Sequence, residues 1–395
     1  GGVPTISFRD LAIQRRDNDL VGASFGRGFY VLDDYTPLRN ITAEAMQRGA
    51  VLFPVRTTPW YIQRRPLGQD GQASQGGAYY VAENPPFGAV FTYHLADDLK
   101  TLKDERRERQ KKMEEGWEDT PYVGYEALEK ERRQPAPEIV LTIHDADGGV
   151  VRRVTGPATG GFHRVAWDLT YPTSAAVTSA SSSETQNDER NRGDSGFMAP
   201  PGAYSVTLST RIDGVVTEVG GPVDFEVVRV FEGVLDGTAP ESTAVFMRQV
   251  AELNRAVSAA SNAASLAFDR IAILEAALAR SHSDPGTLDT ELEGLKQRLF
   301  VLDESLAGNR SMRSLGEPRV PTVAGRLRVA SMSDGQSDYG PTATHRRAFE
   351  IATAEFGDIE PQMRQLLEID LPALEAAMEA AGVPWTPGRP LPTVQ

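Results

Sequence analysis

Two adjacent carboxylates, Asp33 and Asp34, follow the apolar run Phe29-Tyr30-Val31-Leu32. Paired carboxyl groups can hydrolyse a glycosidic bond when they flank it at about 5 Å or about 6.5–9.5 Å. Neighbours on one strand point to opposite faces, so this pair needs a partner from elsewhere. Arg27 stands between Gly26 and Gly28. It could offer a guanidinium to an anionic ligand. The competing reading is a tight turn, with glycine supplying positive φ and Arg27 pairing with Asp33 or Asp34. Trp167-Asp168 sets an aromatic ring beside a carboxylate, a combination that binds sugars. It also suits a core anchor followed by a turn residue. Arg27, Asp33, Asp34, Trp167 and Asp168 are the ligand-binding candidates. No residue stands out as catalytic.

Other chemistries lack their residues. The chain has no Cys, which removes disulfides, thiolate metal sites, iron–sulfur clusters and Cys nucleophiles. His94, His144, His163, His282 and His345 share no zinc-binding spacing. Asp145-x-Asp147-Gly148 reads as a hairpin turn, because it lacks the third acid and terminal Glu of a calcium loop. Neither a G-x-S-x-G elbow nor a phosphate-binding Walker loop occurs. No metal and no cofactor is expected. Lys and Arg number 41 against 55 Asp and Glu, a net charge of −14. That balance argues against non-specific binding to nucleic acid or an anionic membrane. No apolar run nears the roughly 18 residues of a membrane span.

The elements that would hold these residues change along the 395-residue chain. Residues 1–40 read as three short strands with turns at Arg16–Asp19 and Phe25–Gly28. Such a sheet cannot hold a core alone. Residues 41–235 read as β, with strands expected at 51–55, 88–95, 138–144, 150–154, 161–169, 203–209 and 223–230. Their number and turns suggest a β-sandwich of immunoglobulin or fibronectin character. Two inserts interrupt it. Residues 96–134 carry balanced charge at i,i+4 spacing and read as a solvated helix. Residues 173–195, rich in Ser and Thr, read as a flexible loop. Residues 240–385 read as a helical bundle. Phe246 to Leu278 forms one apolar seam and Leu288 to Leu306 another. Residues 308–340 read as a loop. A third helical stretch begins near Thr342, with Pro361 and Pro372 expected to start, kink or split helices. Residues 386–395 read as a tail. The fold class is thus multidomain α+β.

The string from Asp17 to Asp34, with Gly26-Arg27-Gly28-Phe29 inside it, resembles the closing blade of bacterial propeller proteins related to the sortilin ectodomain. These are the "glycosyl hydrolase, BNR repeat" proteins. Ser24-Phe25 stands where that family usually has Thr-His. Three later strings resemble the family in the same order. They are Glu83-Asn84-Pro85-Pro86-Phe87-Gly88-Ala89, Gly161 to Leu169 with His163 in place of Asn, and Pro201-Gly202-Ala203-Tyr204. The resemblance covers essentially the whole chain. It implies that residues 1–40 are the last blade of a propeller whose body lies upstream of Gly1. No Asp-box repeat occurs in the chain itself. The expected role is an accessory or scaffolding part of a secreted or periplasmic bacterial protein, binding a protein or glycan partner without catalysis of its own. The alternative is a fragment of a glycoside hydrolase whose active site lies in the other blades. The heptad seams also admit self-association through the bundle.

Overall fold

The computed structural model describes residues 5–63, 82, 84–178, 195–234, 236–282, 284, 286–318, 320–332 and 339–392. It is a mixed α+β chain of two compact units. One comprises Gly1–Tyr171 with Ala199–Glu232, and the other Pro172–Met198 with Gly233–Gln395. Most of the segment expected to be a flexible insert, residues 179–194, lies outside the described residues.

The first unit begins with strands β1 (Phe8–Gln14), β2 (Asp19–Ser24) and β3 (Phe29–Leu32), which form an antiparallel three-stranded sheet in that order. Helix α1 (Ala43–Met46) follows, capped by the Thr42 side chain. Next come β4 (Ala50–Leu52), β5 (Thr58–Trp60) and β6 (Ala89–Leu95). The charged insert forms two helices, α2 (Leu102–Glu115) and α3 (Tyr125–Arg133), clamped by Arg106 on Glu131 at 2.6 Å. Strands β7 (Glu138–Asp145), β8 (Val150–Gly156) and β9 (Gly161–Trp167) follow. Short strand β10 (Thr170–Pro172) ends at the unit boundary, and β11 (Ser195–Met198) belongs to the second unit. Strands β12 (Gly202–Ile212) and β13 (Val215–Arg229) complete the unit.

Two sheets, ordered β5-β13-β12-β7-β8 and β4-β6-β9, build this unit's core. They meet through aromatic rings. Phe91 on β6 lies 5.6 Å from Phe225 on β13, and Trp167 on β9 lies 5.3 Å from Tyr204 on β12. β13 also borders β4 and β8 borders β9, so the sheets curl towards each other. Apolar alternation explains β7, where Ile139, Leu141 and Ile143 are fully buried. β13 starts eight residues before the expected Val223. Gly220, Gly221 and Pro222 disguise it, since Val206 faces Val223 and Leu208 faces Gly220, leaving Gly221 and Pro222 as a bulge. β5 was not anticipated because Pro59 sits inside it. It runs parallel to β13 at the sheet edge, where a missing N–H is tolerated.

The second unit is helical. α4 (Pro240–Leu278) buries Phe246, Val250, Val257, Ala264, Ala267, Ile271 and Leu274, the expected seam. α5 (Leu288–Ala307) buries Leu288, Leu292, Leu295, Leu299, Leu302 and Leu306. Both seams are therefore filled within this unit's own core. The 308–340 loop reading is corrected. That stretch holds α6 (Arg310–Leu315) and α7 (Val323–Ser331), begun by side-chain caps from Asn309 and Thr322. Val323, Leu327 and Ala330 are buried at helical spacing. α8 (Ala343–Arg364), capped by Thr342, continues past Pro361, which does not split it. A π-helical segment, Gln365–Asp370, comes next, and α9 (Leu371–Ala380) has Pro372 in its first turn. Arg270 of α4 makes a two-pronged ion pair with Glu375 of α9, whose side chain is buried.

The expected tail is also corrected. Arg389 is buried and donates to the carbonyls of Val383 and Pro384 and to Glu379. Thr386 is buried beside it. Polar residues with no hydrophobic period gave no hint of this knot.

Gly88 fixes the joint between β6 and β9. It adopts φ 103°, and a Cβ there would lie 1.9 Å from the Trp167 carbonyl oxygen. Gly88→Ala should therefore destabilise the first unit by about 3 kcal/mol, from strain and overpacking. Gly49→Ala, with open space around it, should stay within about 0.5 kcal/mol of the parent. Urea unfolding of both variants tests this, and equal midpoints would refute it.

Candidate interaction surface

Apolar runs in β2 and β3 are continuous rather than alternating: Leu20-Val21-Gly22-Ala23 and Phe29-Tyr30-Val31-Leu32. Continuous runs mark strands that bury both faces. The register shows what each face carries. Leu11, Gly22 and Tyr30 form one row, and Ile13, Leu20 and Leu32 the next row on the same face. The opposite face carries Ala12, Val21 and Val31, then Asp10, Ala23 and Phe29. Among the described residues neither face is closed over: β2 is half-buried, and most side chains of β1 and β3 are exposed. Phe29 is 77% exposed and Leu11 63%, and Ile13, Val31 and Leu32 are exposed as well. Phe8 folds back over Gly22, its ring 5.6 Å from that of Tyr30. Among the described residues β1 and β3 are both open edges.

This sheet is held to the rest of its unit by polar contacts. Arg56 donates to the Asp17 carbonyl at 2.8 Å, and Arg164 to the Asp33 carbonyl at 3.0 Å. Asn18 donates to Thr36 Oγ1 at 3.0 Å, and the Asn18 carbonyl accepts from Tyr35 N–H. The Arg16 guanidinium donates to the Asp17 carboxylate at 2.8 and 3.0 Å and holds it below the usual carboxylate range. Burial opposes that shift, and Arg56 assists it.

The structure disperses the five ligand-binding candidates between this sheet and the core. Arg27 is exposed at the β2–β3 turn, with Gly26 at φ 73° and Gly28 at φ 75°. The Ser24 hydroxyl and N–H both donate to the Gly28 carbonyl. The pairing of Arg27 with Asp33 or Asp34 is not observed. Asp33 and Asp34 lie past the end of β3 rather than on it. Asp34 takes φ 44°, is buried, and accepts the Thr36 N–H on Oδ1 at 3.1 Å. Its own N–H donates to Asp19 Oδ1 at 2.9 Å. That carboxylate terminates the sheet.

Trp167 is fully buried, and its indole N–H donates to the Thr170 carbonyl at 2.9 Å. Its ring is spent on the core and offers no platform to a sugar. Asp168 Oδ1 accepts from the N–H and hydroxyl of Thr170, closing a turn in which buried Leu169 takes φ 58°. Among the described residues no cluster of His, Asp and Glu has the geometry of a metal site. No helix among them is long and apolar enough to cross a membrane.

Sequence reasoning placed the sheet but passed over its exposed apolar side chains. The signal was present in the unbroken apolar runs of β2 and β3. Comparison with protein-family models, with curated proteins and with solved structures finds no match for this chain.

Two outcomes follow. The chain should self-associate as concentration rises, and Leu11→Asp with Phe29→Asp should abolish that in sedimentation velocity. A monomeric parent would contradict an adhesive sheet. Asp17 should titrate below an ordinary Asp. The stability it lends is complete above the unfolded-state value near 3.9 and is lost as pH falls through its lower folded value. In Arg16→Ala its carboxyl NMR midpoint should move up, and an unmoved midpoint would contradict the assigned cause.

Proposed function

We propose that this chain is a binding and assembly part of a larger secreted or periplasmic β-propeller protein. In this reading residues 1–40 are the closing blade, the two curled sheets are an immunoglobulin- or fibronectin-like domain, and the helical unit is an accessory bundle. The observation that carries the reading is the sheet β1–β3, apolar on both faces and, among the described residues, closed over on neither. A sheet that packs between two neighbours needs that pattern, and a sheet standing alone is penalised by it. The glycine-flanked Arg27 turn and the order of the four resembling strings support the same reading.

The residues argue against catalysis by this chain alone. General acid–base hydrolysis needs two positioned carboxyl groups and a water or nucleophile between them. Asp34 is buried and engaged with the Thr36 N–H, and the Asp33 backbone is tied to Arg164. The partner in this reading is a protein or a glycan, met at a surface.

A panel of aryl glycosides incubated with purified chain tests the point. The expected result is no turnover above the uncatalysed rate. Hydrolysis that disappears in Asp33→Asn or Asp34→Asn would replace the assembly reading with a glycoside hydrolase.

A further inference from the structure

The helical insert ends in a feature that its balanced charge conceals. The loop from Gly116 to Gly124 joins α2 to α3 and carries the two most exposed large aromatic side chains described in the first unit. Trp117 is 97% exposed and Tyr122 92%, and Tyr125, which opens α3, is 76% exposed. Leaving such rings in water forfeits the burial that large aromatics normally gain. The backbone adds to that cost. The Trp117 N–H donates to the Glu114 carbonyl and the Glu118 N–H to the Met113 carbonyl, which closes α2 in a Schellman motif. Trp117 fills the left-handed position of that motif at φ 57°, where glycine is usual.

The charge around these rings is one-sided. Residues 114–126 contain Glu114, Glu115, Glu118, Asp119 and Glu126 and no Lys or Arg. Of these only Glu115 has an ion-pair partner among the described residues, Lys111 at 3.9 Å across one helical turn. Glu114, Glu118, Asp119 and Glu126 have none among the described residues. Tyr125 and Glu126 also line a cleft of about 670 Å³ that is of mixed charge, with Glu129, Lys130, Arg133 and Asp213 in its wall and Arg133 already paired with Glu129, so the one-sided charge is confined to the 114–126 tip. Aromatic faces attract cations, and unpaired carboxylates beside them attract the same groups.

We infer that the α2–α3 tip is a docking site for a basic polypeptide segment, whose Lys or Arg side chains lie over Trp117 and Tyr122 and pair with Glu118 and Asp119. The complementarity selects this occupant. A neutral glycan would use the rings and leave the carboxylates unanswered, and a nucleic acid would be repelled by them. The inference rests on residues remote in sequence from β1–β3 and holds whether or not that sheet is a propeller blade.

Fluorescence anisotropy with labelled hexa-arginine and the intact chain tests it, at about 0.15 M salt to screen diffuse attraction. The parent should bind saturably. Trp117→Ala with Tyr122→Ala keeps every charge and should weaken binding about tenfold, or about 1.4 kcal/mol. Trp117→Tyr, which keeps a ring, should retain most of the affinity. Glu118→Gln with Asp119→Asn should weaken binding and flatten its salt dependence. Because these side chains are solvent-exposed, the thermal midpoints should match the parent. If a midpoint falls, the Trp117→Tyr variant decides alone, and loss of binding there would overturn the proposal. Equal affinity in the parent and the ring-deleted variant would reduce the effect to net charge and overturn it. So would absence of hexa-arginine binding, or binding of maltohexaose in its place.

Discussion

The bond from the Trp167 indole to the Thr170 carbonyl anchors the first unit. It fixes a fully buried ring against Tyr204 and Phe225 of the facing sheet. The same corner requires Asp168 to close its turn and Leu169 to enter the left-handed region. On the other side it leaves room only for a glycine at position 88. Two strings singled out in the sequence, Glu83–Ala89 and Gly161–Leu169, thus touch through Gly88 and Trp167. At Gly88 and Trp167 the residue types follow from packing. That moves the search for function from Trp167 and Asp168 to the surface.

Burying apolar area is worth about 25 cal/mol per Å², and the parts of the chain use that differently. The curled sheets bury Phe53, Phe91, Tyr93, Trp167 and the inner residues of β7 and β12. The helical unit buries both apolar seams, with the Arg270–Glu375 pair tying its first helix to its last. Satisfied cores of this kind ask nothing of a partner. The sheet β1–β3 leaves the apolar side chains of β1 and β3 largely in water, with β2 half-buried between them. It is attached by arginines that reach backbone carbonyls, contacts that orient a sheet while leaving its faces free. The insert tip repeats the arrangement on a smaller scale, with rings held outward on a clamped helical pair.

Much of this was legible from period alone. The Leu288–Leu306 seam matches the buried face of α5 residue for residue, because a helix against a core leaves a regular imprint. Elements escaped where glycine, proline or polar residues hid the imprint. Thr322 and Asn309 start helices inside a stretch that looked like loop. Gly220-Gly221-Pro222 bulges out of a strand that continues on both sides. Arg389 is buried by hydrogen bonds to carbonyls, which no side-chain pattern announces. At the surface the difficulty is different. The runs in β2 and β3 reveal that both faces are apolar, but a sequence cannot tell a covered face from an uncovered one. Asp33 and Asp34 looked like a pair because they are adjacent, yet Asp34 turns into the left-handed region and caps Thr36.

Amide hydrogen exchange on the dilute chain tests the central claim, that β1–β3 is built to be stabilised by contacts from outside its own unit. Backbone protection tracks the free energy of local opening. Uncovered on both faces, the β2 amides of Val21 and Gly22 should exchange on the order of a hundredfold faster than those of Leu141 and Val206 in β7 and β12. Equal protection in the two sheets would show that β1–β3 needs no cover, and would contradict the account.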